Sequence, residues 1–301
     1  MKKMKIKKLP LKPKGSTFDS KIGKLDWVLF VILLIYAILV VYPFYNALLI
    51  SISPQEVYQN SPFLIWPKVV TFENYQKVFT DARLMDGFKV TLLLLFVGTA
   101  YQMFFTVITG YALSRNKWVG KNFVMNMIVI TMFFGGGLIP YYILINNLGL
   151  YDNILVMIIP GAIDTFNMLL MRNYFASLPI EMEESAKIDG ANDIQTFLYI
   201  YLPMSLPMLA TVGLFFAVGN WNSWYNGMLY IETQKYKPLQ TVLQDMVTTP
   251  SSSLEGGGTT ETVSDGLVMA ATLFTIVPMM LFYPFLQRYF VKGLVVGAIK
   301  G

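Results

Sequence analysis

The chain has 301 residues, of which 55% are apolar and 14% charged, with a formal net charge of +5 and a mean hydropathy of +0.52. Soluble chains carry about 25% charged residues, so the apolar excess here faces lipid. There is no Cys and no His, which excludes disulfides, thiolate nucleophiles, imidazole bases, Cys/His zinc sites and haem ligation.

In chain order, a basic tail over residues 1–26 carries nine lysines. The apolar run behind it, 27–50, is too long for a cleavable signal and reads as an uncleaved first span. The loop from Ser51 to Gly87 holds an amphipathic stretch near Glu73 to Phe79. Five further spans follow over about 90–113, 123–145, 154–171, 198–218 and 267–286, giving an all-α, six-span membrane protein whose single transmembrane domain covers 27–301. Gly135, Gly136, Gly137 and Pro140 interrupt the third span, and Pro203 and Pro207 sit near the start of the fifth. The fourth is the weakest, because it is short and holds Pro160, Gly161 and Asp164. An external loop covers 222–266, and its Thr248–Thr262 stretch is rich in Ser, Thr and Gly and reads as a flexible connector.

Seventeen of the 23 basic residues fall in alternate loops that include both ends of the chain. The orientation rule therefore makes both termini cytoplasmic, as an even number of spans requires. The loop over 172–197 lies on that same side and yet is acidic, with Glu181, Glu183, Glu184, Asp189 and Asp193. Pro179 suits a helix start, and carboxylates in the next turn complement the positive helix end. Asp189-Gly190 reads as a stop and turn, after which Ala191 to Phe197 form a second short helix. The apolar members Ile180, Met182, Ala186, Ile188, Ala191, Ile194 and Phe197 are too few for a core of their own. They must pack on the spans or on another protein.

Glu184-Ser185-Ala186, Asp189-Gly190-Ala191, Phe197, Ile200, Leu202-Pro203 and Pro207 resemble the EAA loop of bacterial ABC importer permeases, with Ser185 in place of the usual alanine. Glu73-Asn74-Tyr75, Trp221-Asn222-Ser223-Trp224 and the ending from Tyr289 to Gly301 are similar to the maltose-type, carbohydrate branch of that family. The resemblance implies a type I importer permease in a bacterial cell membrane, forming half of a translocation path for a sugar of the oligosaccharide class. It implies as partners a second homologous permease, cytoplasmic ATPase subunits and an extracytoplasmic sugar-binding protein. Glu184, Ser185, Ala186, Asp189, Gly190, Ala191 and Phe197 would then form the ATPase-docking loop, with Gly190 allowing close backbone approach and Glu184 and Asp189 capping or orienting the two helices. The external loop would reach toward the binding protein.

The Gly-Lys pairs at Gly23-Lys24 and Gly120-Lys121 lack the spacing and the following Ser or Thr of a P-loop. ATP and Mg are accordingly expected on the partner ATPase, with no cofactor, metal or catalytic residue on this chain. Lipid is the remaining partner, and nothing points to nucleic acid. Asp164, the carboxylate inside a span, reads as lining a cavity or packing helices rather than relaying protons. Asn220, Trp221, Trp224 and Tyr225 have the chemistry of a sugar path, but they sit where an interfacial aromatic belt would put Trp and Tyr, and the belt is the favoured reading. A secondary transporter driven by an ion gradient is the alternative. It predicts paired intramembrane charges and internal repeats, which this sequence lacks.

Overall fold

The computed structural model describes residues 23–59, 65–115, 119–248 and 264–298, with side chains described as far as residue 281. Among the described residues the chain is helical and has no strand, as the apolar runs require. It divides into two compact units, Met1–Asn46 and Ala47–Gly301. Beyond Gly23, the described part of the first unit belongs to α1 (Lys24–Ser51), which is apolar on all faces and contains Pro43. The lysine-rich tail lies almost entirely outside the described residues.

The second unit continues with α2 (Gln55–Gln59) and α3 (Glu73–Thr80), the expected amphipathic helix. Asn74 Nδ2 donates to the Ser51 carbonyl at 3.0 Å, and the Tyr75 hydroxyl meets Ser51 Oγ at 2.9 Å. Helix α4 (Ala82–Ser114) starts at Asp81, whose carboxylate accepts the Arg83 N–H at 2.8 Å. One π-helical turn, Leu94–Gly98, interrupts its 33 residues. Next come α5 (Lys121–Phe133) and α6 (Leu138–Asn147), which meet at 116°. The expected third span is thus a bent pair with Gly135–Gly137 at its corner, where no side chain stiffens the backbone.

The expected fourth span requires a larger correction. Ile154–Met157 forms a 3-10 turn, the backbone is irregular to Asp164, and α7 runs from Thr165 to Ser177. Pro160 has no N–H to donate, and the Asp164 carboxylate accepts the Asn167 N–H at 2.8 Å, which starts a new helix there. Helices α8 (Glu181–Ile188) and α9 (Asp193–Met204) follow, and then α10 (Leu206–Trp221), bent 79° from α9. Pro207 cannot donate to the carbonyl of Pro203, so the fifth span breaks around Ser205 rather than running through. The chain ends through α11 (Tyr225–Tyr230), α12 (Leu239–Thr248) and α13 (Asp265–Ala298). The Ser/Thr/Gly-rich connector beyond Thr248 lies outside the described residues, as do the side chains of the ending from Tyr289.

Helices α1 and α4 are individually long and apolar enough to cross a bilayer, and each bent pair qualifies if it counts as one span. Helix α4 is the axis of the second unit. A Cβ on Gly110 would lie 3.0 Å from Met171 Cβ on α7, and one on Gly98 would lie 3.1 Å from Asn220 Nδ2 on α10. Small residues let helices approach this closely, and close packing is what holds helices together where lipid removes the hydrophobic drive. Val107, Met171, Phe175, Tyr201, Met208, Val212 and Phe216 form a core joining α4, α7, α9 and α10. A second core, including Val78, Leu84, Leu239 and Ala270, joins α3, α4, α12 and α13. There the buried Thr91 Oγ1 accepts the Leu239 N–H at 2.9 Å.

Asp152, at φ 51°, clasps the segment after α11. Its carboxylate accepts the Thr233 hydroxyl at 2.6 Å and the N–H groups of Thr233 and Glu232 at 2.7 and 2.9 Å. The Thr233 hydroxyl, and then these backbone donors, hold the Asp152 carboxyl below the ordinary aspartate range.

Candidate functional site

The acidic loop folds into a helix–turn–helix through local bonds. Ile180 is the N-cap position of α8, so the helix starts at Glu181, two residues later than Pro179 suggests. At its other end Gly190 takes φ +85°, its N–H donates to the Lys187 carbonyl at 3.1 Å, and the Ala191 N–H donates to the Ala186 carbonyl at 2.9 Å. This is a Schellman turn, and the positive φ explains the glycine. Asn192 then caps α9 reciprocally with Gln195, each side chain accepting the other residue's N–H at 2.8–2.9 Å.

Two expectations change here. Neither the Glu184 nor the Asp189 side chain caps a helix; both are exposed, and Asn192 does the capping. The second helix begins at Asp193 rather than Ala191, and it continues past Phe197 to Met204 through a π-helical turn.

The apolar residues of the loop divide between two faces. Ala186 is buried, and Phe197 packs on the core of α4, α7 and α10. Ile180 and Met182 are exposed, Ile188 is 87% exposed and Ile194 70%. Ser185 is exposed and its hydroxyl donates to the Glu181 carbonyl at 2.8 Å, so the departure from alanine leaves the helix intact.

Glu183, which carried no special weight in the sequence, is the acid that faces inward, only 4% exposed. Its Oε2 accepts Arg115 Nη1 at 2.9 Å and the Tyr201 hydroxyl at 3.1 Å, and its Oε1 accepts Lys187 Nζ at 2.6 Å. The sequence signals were the Glu183–Lys187 spacing and the place of Glu183 three residues before the inward Ala186, which puts both on one helix face.

A cavity of about 400 Å³ opens among α4, α6, α7, α10, the start of α11 and the irregular stretch before α7. Gln102, Asp164, Asn167, Asn220, Ser223 and Asn226 give it polar walls, and Tyr141, Phe215 and Phe216 add aromatic ones. Asn220 Nδ2 donates to Thr99 Oγ1 at 3.1 Å and to Gln102 Oε1 at 2.9 Å. Asn167 is buried, and its Oδ1 has no hydrogen-bond partner among the described residues. A buried carbonyl left unpaired is costly, so a ligand hydroxyl or water there would be stabilising.

Of the four pathway candidates beside Asp164, the structure brings Asn220 to the cavity and leaves the three aromatic residues out. Trp221 is buried on another side of α10, where Nε1 donates to the Thr275 carbonyl at 3.3 Å and the ring meets Phe88 edge-on. Trp224 and Tyr225 are exposed beside the cavity lining, as an interfacial belt would have them. Gln102 was missed because it is twenty residues deep in α4, and only the fold brings it to Asn220.

Lipid-compatible helices around a polar cavity, with a folded loop that exposes an apolar face, fit the membrane component of a transport system. Residues 88–296 match the family model of the binding-protein-dependent transport system inner membrane component, and the chain belongs to that family. It is 36% identical over 262 residues to Protein LplC of Bacillus subtilis (strain 168), covering 86% of this chain and 89% of that one. It is 34% identical over 281 residues to the polygalacturonan/rhamnogalacturonan transport system permease protein YtcP of the same organism, covering 92% and 98%. Among solved structures it is similar to a bacterial ABC transporter involved in the import of the acidic polysaccharide alginate, with TM-score 0.82, 29% identity, and coverage of 91% of this chain and 100% of that one.

Proposed function

We propose that this chain is one of two permease subunits of an ATP-driven importer for an oligosaccharide delivered by an extracytoplasmic binding protein. It sits in the bacterial plasma membrane with both termini in the cytoplasm. The helix–turn–helix of α8 and α9 docks on a partner ATPase, which binds ATP and Mg, while the amide-lined cavity forms part of the sugar path. Amides and a buried unpaired carbonyl suit sugar hydroxyls, and the aromatic rings suit the apolar faces of pyranose rings. The family match and the named substrates of its relatives support the transport role and the sugar class.

The observation that carries the docking role is the division of the loop. One face is tied into the core by Glu183, Ala186 and Phe197, and the other leaves Ile180, Met182, Ile188 and Ile194 in solvent. Exposed aliphatic side chains on a rigid helix pair are what a protein groove takes up. Ile188→Asp leaves the fold's contacts alone, and it is expected to reduce ATPase co-purification and sugar-stimulated ATP hydrolysis by about tenfold or more. Unchanged association and hydrolysis would overturn the assignment.

A further inference from the structure

The buried face of the acidic loop raises a separate question: what connects the docking helix to the cavity. Arg115, immediately after α4, touches four segments at once. Its Nη1 donates to Glu183 Oε2 on α8 and to the Tyr201 hydroxyl on α9. Its Nη2 donates to the Phe175 carbonyl in the last turn of α7 at 2.7 Å, and its Nε to Ser114 Oγ at 3.0 Å. The guanidinium also stacks over the Tyr201 ring, 4.3 Å from its centroid. Arg115 and Glu183 side chains are 15% and 5% exposed, so little solvent competes for these bonds.

Of the helices that Arg115 touches, α4 and α7 also line the cavity, through Gln102 on α4 and through Asp164 and Asn167 at the start of α7. The planar fork of arginine fixes direction as well as distance, which a lysine at the same place would not do. A buried charge pair is weak evidence of added stability, and its better-attested use is to fix a register.

We propose that Arg115 and Glu183 are positioning residues that form a strut, passing displacement of the docking helix to α4 and α7, two of the helices that wall the sugar cavity. The inference rests on the docking role proposed above. Lys187 closes the strut from the solvent side through Glu183 Oε1, while Tyr201 bridges the pair, accepting from Arg115 and donating to Glu183. Force on the exposed Ile188 face therefore reaches α4 through the guanidinium and α7 through the Phe175 carbonyl.

The test uses the full complex of both permeases, the ATPase and the binding protein in proteoliposomes, measuring sugar taken up per ATP hydrolysed. Arg115→Gln, Glu183→Gln and the double variant are each expected to keep ATPase co-purification and lower uptake per ATP by about fivefold or more. The double variant should be no worse than either single one, because the pair acts as a unit. Arg115→Lys keeps the charge without the fork and should fall between. Unchanged uptake per ATP in assembled Arg115→Gln complex would overturn the strut, and so would loss of assembly in all of these variants, which assigns the pair a folding role only. Ile188→Asp distinguishes the two readings: if it leaves ATPase association intact, the docking role has failed and not the strut alone.

Discussion

The acidic loop and the amide-lined cavity are built from bonds of different range. Every cap and turn in the loop closes within five residues: Ala191 to Ala186, Gly190 to Lys187, Asn192 with Gln195. The cavity depends on contacts between distant parts of the chain, such as Asn220 to Gln102 and the approach of α10 over Gly98. Local bonding gives the loop a rigid shape that it can present as a unit. Long-range bonding makes the cavity responsive to any shift of α4 against α7 or α10, which suits a passage that opens and closes. Glu183 is where the two regimes meet, since it lies on the local helix and reaches Arg115 across 68 residues.

The largest expected effect comes from separating the two faces of α8. Glu183→Ala leaves a buried guanidinium without its carboxylate and should cost about 3–5 kcal/mol of stability. Glu184→Ala, on the exposed face one residue on, should stay within about 0.5 kcal/mol. Thermal unfolding of the detergent-solubilised complex compares them, and equal losses would erase the distinction between faces. Next in size, Gly98→Ala puts a Cβ about 3 Å from Asn220 Nδ2, an overpacking that costs about 1–3 kcal/mol. It should lower sugar uptake while leaving ATPase association unchanged, the opposite pattern to Ile188→Asp.

Smaller still, Asn192→Ala removes the capping box at the start of α9 and should cost about 1 kcal/mol, read as faster amide exchange in the loop but not around the cavity. The mildest is a pH effect away from both regions. The folded Asp152 carboxyl titrates below its unfolded value of about 3.9, so its contribution is complete above that pH and is lost as pH falls through the lower folded value. Amide protection of Glu232 and Thr233 should therefore hold from neutral pH to about pH 4 and weaken below it, and Asp152→Asn should remove that dependence.

The same difference in range explains what the sequence disclosed. The turn at Asp189-Gly190 and the helices beside it were legible because a glycine after a run of helix formers signals its own backbone state. Membrane character was legible because apolar runs without charge have few other uses. Asp164 misled as part of a fourth span, since a short polar side chain in an apolar run reads equally as a buried charge or as a helix cap, and the Asn167 N–H it accepts decides for the cap. Trp221 misled in another way: its neighbours share the chemistry of a sugar site, and only the helical phase of α10 shows that Asn220 faces the cavity and Trp221 the core. Arg115 was counted as one more cytoplasmic charge, because its four contacts lie 60 to 86 residues away except for Ser114 beside it.

The central claim is that the exposed apolar face of α8 is covered by a partner when the transporter assembles. The chain has no cysteine, so an Ile188→Cys variant carries a single thiol at the most exposed point of that face. The rate of maleimide labelling should be fast in the isolated permease and fall at least about tenfold when the ATPase is added. Equal labelling with and without the ATPase would contradict the account.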